Sequence, residues 1–168
     1  NSVVAQIYTE YLGLQSYLIP GARKPKAKIH ANLLQPLHLL DMVVYVKENG
    51  SLQRIKEAQA SPSLKTIPLD IQKSAVSMFL NEVLFKVLKH QAADPHLYHF
   101  IHQSILWLDE TTGSISNFHL CFLMKLSRFL GYTPTTTAEV KPYFDLVEGI
   151  FTAYAPAHTY VLQEPHTS

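Results

Sequence analysis

Two hydrophobic rhythms divide the chain. Val3 to Thr9 is β-branched and aromatic with no helical period, and the spacing predicts a strand. Glu10 to Gly13 supplies a turn, and Leu14 to Ile19 returns as a second strand that Pro20-Gly21 breaks. Leu39 to Lys47 reads as a third strand and Leu52 to Ala58 as a fourth. Asn49-Gly50 between them fits a two-residue hairpin turn, whose central positions need φ > 0. From Thr66 the period becomes helical: Thr66 is placed to cap, Pro68 to sit in the first turn, and Asp70 to face the positive helix end. Val76, Phe79, Leu80, Val83, Leu84, Val87 and Leu88 then follow at i, i+3, i+4 spacing.

Asp94-Pro95 opens a second helix with an apolar stripe of Leu97, Tyr98, Ile101, Ile105 and Leu108, closed by Thr111-Thr112-Gly113. A third helix runs from about Ser116 to Leu130 and stops at Gly131. It is apolar nearly all round, which predicts the most buried helix of the set. Tyr143 to Ala153 reads as a hairpin turning at Glu148-Gly149, and the tail from Ala155 is aperiodic. The fold class is therefore α+β. Four short strands close a barrel only with a fifth, so residues 1–62 read as a five-stranded barrel of the OB type without its opening strand. Residues 63–168 read as a helical domain with a hairpin at 143–153 and an irregular tail.

Composition changes this picture little. Hydrophobic residues make up 47% of 168, enough for a core. The single cysteine, Cys121, forbids an intrachain disulfide and favours a reducing compartment, the cytoplasm. It lies in the third, most apolar helix, where a thiol is expected to be an inert core residue. No apolar run is long enough to span a bilayer. The opening Asn1-Ser2-Val3 has neither an initiator Met nor a leader pattern, and reads as a chain lacking its natural beginning.

Charge adds more. The net value is only +1, but the cations cluster. Residues 1–65 hold Arg23, Lys24, Lys26, Lys28, Lys47, Arg54, Lys56 and Lys65 against Glu10, Asp41, Glu48 and Glu57, a net +4. The remainder is mildly acidic. One part is suited to meet an anion, the other to fold or to bind protein. Gly21 to Lys28 places Arg23, Lys24, Lys26 and Lys28 in one loop stiffened by Pro25, able to splay along successive phosphates. Arg54 and Lys56 share a strand face and extend the track. The competing reading is a solvated loop that keeps an edge strand soluble. Among the interleaved aromatics Tyr8, Tyr11, Tyr17 and Tyr45, most are expected to pack on the barrel. Tyr17, just before the loop, is the candidate for stacking on a base.

Catalytic chemistry finds little support. His96, His99 and His102 lie at three-residue spacing on one helix, but no HExxH or CxxC accompanies them, so no metal is assigned. No phosphate-cradling glycine loop or nucleophile elbow occurs, and no cofactor or catalytic residue is assigned. Asp109-Glu110 reads as a solvated helix end.

Taken in order, IYTEYLGLQSYLIPGARKPKAK (7–28), LLQPLHLLDMVVY (33–45), LQRIKEA (52–58), FLNEVLFKVL (79–88), ILWLDE (105–110) and FHLCFLMKLSRFLGYTP (118–134) resemble the bacterial recombination mediator family RecO over most of the chain. The resemblance implies an OB-fold followed by helices. It also implies a non-enzymatic role in DNA repair: binding single- and double-stranded DNA, annealing complementary strands, and helping RecR place RecA on strands coated by single-strand-binding protein, at the nucleoid. Arg23, Lys24, Lys26 and Lys28 then fall in the family's basic loop. Many members carry a four-cysteine zinc site after the helices, which a chain with one cysteine cannot build; YFDLVEGIFTAYAP stands in its place. Two alternatives remain: a helical protein-interaction module with incidental DNA contact, and a metal-dependent nuclease using His96, His99 and His102.

Overall fold

The computed structural model describes residues 2–25, 27–46, 52–132 and 141–163. The chain divides into two compact units, residues 1–119 and 120–168. In the first, β1 (Ser2–Thr9) and β2 (Gly13–Pro20) form an antiparallel hairpin in register from Ser2↔Pro20 to Thr9↔Gly13. β3 (Leu40–Tyr45) and β4 (Gln53–Ala60) form a second antiparallel pair, and β4 lies parallel to β2 through Tyr17↔Gln53 and Leu18↔Arg54. The sheet order is β1-β2-β4-β3. All four strands fall where the turn-bounded runs put them. The Asn49-Gly50 turn lies outside the described residues.

Among the described residues no strand closes the barrel: β1 and β3 are the two edges of one open sheet. Both edges line an apolar cleft of about 600 Å³, together with Leu84, Leu88, Ile101 and Ile105 of the helices. A second cluster centres on Ile19, Ala22 and Ile29, packed by Val3, Ala5, Leu33, Leu34, Ile55 and Ala58. The inward parity of β1, β2 and β4 thus meets the segment after Pro20, and this fixes where the basic loop leaves the sheet.

Helix α1 (Ile71–Leu88) starts later than expected. Its cap is Asp70, whose carboxylate accepts the N–H of Gln72 (2.8 Å) and of Lys73 (3.1 Å). Thr66 does not cap. Residues 66–69 form a turn instead, with the N–H of Leu69 and of Asp70 bonded to the Thr66 carbonyl. The buried stripe is Lys73, Ser77, Leu80, Leu84 and Leu88, and Phe79, expected inside, is exposed. Lys73 leads the stripe because its ammonium meets polar partners.

Those partners come from α2 (Pro95–Glu110), which is capped by Asp94 as its sequence predicted. Asp109 is buried rather than solvated. Its carboxylate accepts the N–H groups of Lys65 (2.8 Å), Thr66 (2.8 Å) and Ile67 (2.9 Å). Burial acts to raise the Asp109 carboxyl, but the N–H groups of Ile67, Lys65 and Thr66, with the Thr66 hydroxyl, outweigh it and hold it below the usual carboxylate range. The buried Lys73 ammonium donates to the carbonyls of Asp109 (3.0 Å) and Thr111 (2.7 Å) and to the Thr66 hydroxyl (2.7 Å), and the hydroxyl itself donates to the Asp109 carbonyl. A cation on the last carbonyls of a helix is favoured by the helix dipole. This network holds the segment before α1 against the end of α2.

The division between the units falls in the first turn of α3 (Phe118–Phe129). Against expectation this is the least buried of the three helices. Only Phe122 and Leu126 are buried, whereas Leu120 and Met124 are more than half exposed and Cys121 is exposed. Apolarity all round a helix does not determine which side is covered. The helix ends at Gly131 (φ 79°), with the Tyr132 N–H bonded to the Ser127 carbonyl at 2.8 Å.

The second unit also holds β5 (Tyr143–Asp145) and β6 (Ile150–Thr152), the expected hairpin. The tail is not wholly irregular: β7 (Val161–Gln163) pairs with β5 and makes it the centre of a three-stranded sheet. Phe144 and Phe151 pack across the hairpin with ring centroids 4.8 Å apart. Buried Asp145 accepts the N–H of Val147 and Glu148 and lies 3.2 Å from His158 Nε2. The Glu148 N–H leads in holding this carboxyl low; burial opposes it, and Val147 and His158 add to the lowering.

Candidate nucleic-acid interface

The basic loop is anchored at both ends. After β2, Gly21 takes φ 70°, a conformation that a side chain would strain. Two turns follow, with the Lys24 N–H on the Gly21 carbonyl (2.9 Å) and the Ala27 N–H on the Lys24 carbonyl (3.0 Å). The Ala31 N–H on the Ala22 carbonyl (3.0 Å) closes the loop. Ala22 is 1% exposed and Ile29 6%, so the core grips the segment on either side of its cations. Arg23, Lys24 and Lys28 are exposed. Lys26 lies outside the described residues.

The loop meets β4. Opposite Val43 and Val44 of β3 stand Glu57 and Ile55, so Lys56 is the extra residue of a β-bulge. Before the bulge, Arg54 and Lys56 point outward; after it the parity slips and Glu57 points outward too. Lys28 Nζ of the loop and Lys56 Nζ of the strand each lie 3.8 Å from Glu57 Oε1. These pairs are about half exposed, so their worth to stability is small. Among the described residues no carboxylate pairs with Arg23, Lys24 or Arg54. At the other end of this face Asp41 accepts from Gln59 Nε2 at 3.4 Å.

Tyr17 has no place in such a surface. It is 0% exposed, its hydroxyl is buried without a hydrogen-bond partner, and burial raises its pKa. Tyr17 is a core residue and offers no ring face to a base. The aromatic that does lie beside the cations is Tyr45, 56% exposed and the cross-strand partner of Arg54. Its signal was in the sequence, in the alternation that puts Asp41, Val43 and Tyr45 on one side of β3. Proximity along the chain pointed to Tyr17 instead.

The histidines of α2 do not converge. His96 and His99 are exposed, while half-buried His102 stacks on Tyr98 with ring centroids 6.0 Å apart. Among the described residues no three His, Cys, Asp or Glu side chains come together as a metal would require, and no helix is long and apolar enough to cross a membrane.

Residues 1–63 match the model of the N-terminal part of recombination protein O, and residues 68–164 match that of its C-terminal part. The chain belongs to the RecO family. A DNA repair protein RecO of Bacteroides fragilis is 40% identical over 157 residues, which cover 93% of this chain and 65% of the relative. RecO of Phocaeicola vulgatus is 36% identical over 100% of the chain and 70% of its own length, and RecO of Flavobacterium johnsoniae 34% identical over 92% and 65%. The chain therefore spans about two thirds of the length of these relatives. The two RecO family models meet between residues 63 and 68, the stretch whose N–H groups Asp109 captures.

Proposed function

We propose that this RecO-family chain is a DNA-repair and recombination mediator that binds single- and double-stranded DNA without a reacting side chain. The observation that carries the reading is the anchored loop: Arg23, Lys24 and Lys28 stand in solvent while Ala22 and Ile29 are held in the core. Arg54 and Lys56 on the outward face of β4 continue the track, and Tyr45 beside Arg54 supplies a stacking ring. Clustered cations lower the repulsion between two phosphate chains, which is what annealing of complementary strands needs. In this reading residues 1–62 meet DNA and residues 63–168 serve folding and protein contact. Through RecR the chain helps load RecA onto strands coated by single-strand-binding protein, in the cytoplasm at the nucleoid, with no cofactor and no catalysis.

The test is an annealing assay with complementary oligonucleotides, with and without their coating protein. Log affinity for single strands should fall against log salt with a slope of about −3 to −4 if four to six phosphates are neutralised. Replacing Arg23, Lys24, Lys26 and Lys28 together by Ala should flatten that slope; an unchanged slope removes the loop from the account. A second reading rests on exposed Met78, Phe79 and Phe85 of α1, an apolar set suited to a protein partner. In that reading capture of single-strand-binding protein or RecR survives the loop substitutions, and DNA contact is incidental.

A further inference from the structure

The carboxylate among these cations is not explained by stability. Glu57 is half exposed, and its oxygen lies 3.8 Å from both lysines, beyond the 2.7–3.2 Å range of a direct hydrogen bond. Such pairs hold neither partner in a fixed geometry and are screened by water and salt. Yet a bulge in β4 is what turns Glu57 outward: with regular pairing, Lys56 and Glu57 would face opposite sides of the sheet. The fold thus places one negative charge between Lys28 of the loop and Lys56 of the strand. Arg23, Lys24 and Arg54 have no such neighbour among the described residues.

We propose that Glu57 is an electrostatic brake on the basic surface, occupying Lys28 and Lys56 until a polyanion displaces it. The inference rests on the DNA-binding reading above and assigns that site its regulation. A phosphate approaching Lys28 or Lys56 meets the Glu57 charge at the same place, so each contact requires the carboxylate to swing away. A lone phosphate gains little from that exchange. A strand already held at Arg23, Lys24 and Arg54 presents its next phosphates at high local concentration and displaces Glu57 with ease. The surface therefore favours extended phosphate chains over small anions, and it releases them readily, as a protein that passes strands to one another must.

The test is a titration of a fluorescently labelled single-stranded oligonucleotide by anisotropy over a series of salt concentrations. It uses the whole chain, Glu57→Gln, Lys28→Gln with Lys56→Gln, and the triple variant. Glu57→Gln should bind about 3- to 10-fold more tightly at low salt, with a slope steeper by about 0.7 for each lysine released. In the background lacking both lysines, Glu57→Gln should add little, because the brake acts through them. Equal or weaker binding by Glu57→Gln overturns the proposal, since a carboxylate that positions Lys28 for DNA would act in that direction. An equal gain in both backgrounds overturns it as well, leaving only a long-range charge effect. If the loop substitutions weaken binding while Glu57→Gln leaves it unchanged, the brake fails and the DNA-binding reading stands. If the unaltered chain does not bind, both fall.

Discussion

Asp109 and Glu57 both lie near lysines, and they do opposite things. Asp109 is buried, accepts three backbone N–H groups, and shares its surroundings with the buried Lys73. Glu57 stands half in water, makes no close hydrogen bond to either lysine, and faces cations that are themselves exposed. Burial decides the difference. Out of water a polar group must be fully bonded, and removing one partner leaves the others stranded. In water the same charges are cheap to part and are available to a ligand. The first constellation is architecture, the second a surface.

The largest expected effect breaks the first. Asp109→Ala strands the buried N–H of Ile67 and the part-buried ones of Lys65 and Thr66, and should lower stability by about 3 kcal/mol in urea unfolding, with the salt slope of DNA binding unchanged in the protein that remains folded. Its pH dependence follows the same logic. The folded-state pKa of Asp109 is depressed, so its contribution is full above the unfolded carboxylate value, near 4, and is lost as pH falls through the lower folded value. Asp109→Asn should therefore be less stable at neutral pH yet lose less of its stability on acidification, as thermal melts across the acid range would reveal.

On the surface, replacing the four loop cations by Ala should weaken single-strand binding by about 10- to 100-fold at low salt while the melting temperature barely moves. Tyr45→Ala, beside Arg54, should cost about 1 kcal/mol of binding with little change in salt slope, because stacking is not ionic. Smallest is Tyr17→Phe. It removes a hydroxyl that is buried and unpaired, and should leave binding intact and raise stability by at most about 1 kcal/mol. Loss of DNA affinity in Tyr17→Phe would contradict its place in the core.

Much of this was legible in the residues. Runs without helical period, bounded by turn residues, located the four strands, Asp94-Pro95 announced the start of α2, and Gly21 to Lys28 marked the basic loop. Local chemistry carried those signals, since strand parity, helix caps and turn glycines act over a few residues. The misreadings share a cause: each depended on what a distant segment brings. Thr66 looked like a cap until Asp109, far along the chain, took up the N–H groups around it. Tyr17 looked available because it neighbours the loop in sequence, but it shares the buried face of β2 with Ile19 and lines the apolar cleft with Leu84, Leu88, Ile101 and Ile105 of the helices. The apolar α3 was expected to lie deepest, yet a helix with no polar face carries no instruction about which side is covered.

What the sequence by itself determined, then, is the order and type of the elements and the place of the cationic loop, because those follow from short-range sterics and patterning. The tertiary structure alone decided which charges are buried and which are free. The parallel pairing of β2 with β4, the bulge at Lys56 and the packing of α2 on the segment before α1 join residues far apart in the chain. Solvation, on which the worth of every charge depends, is a property of that arrangement and not of any residue in it.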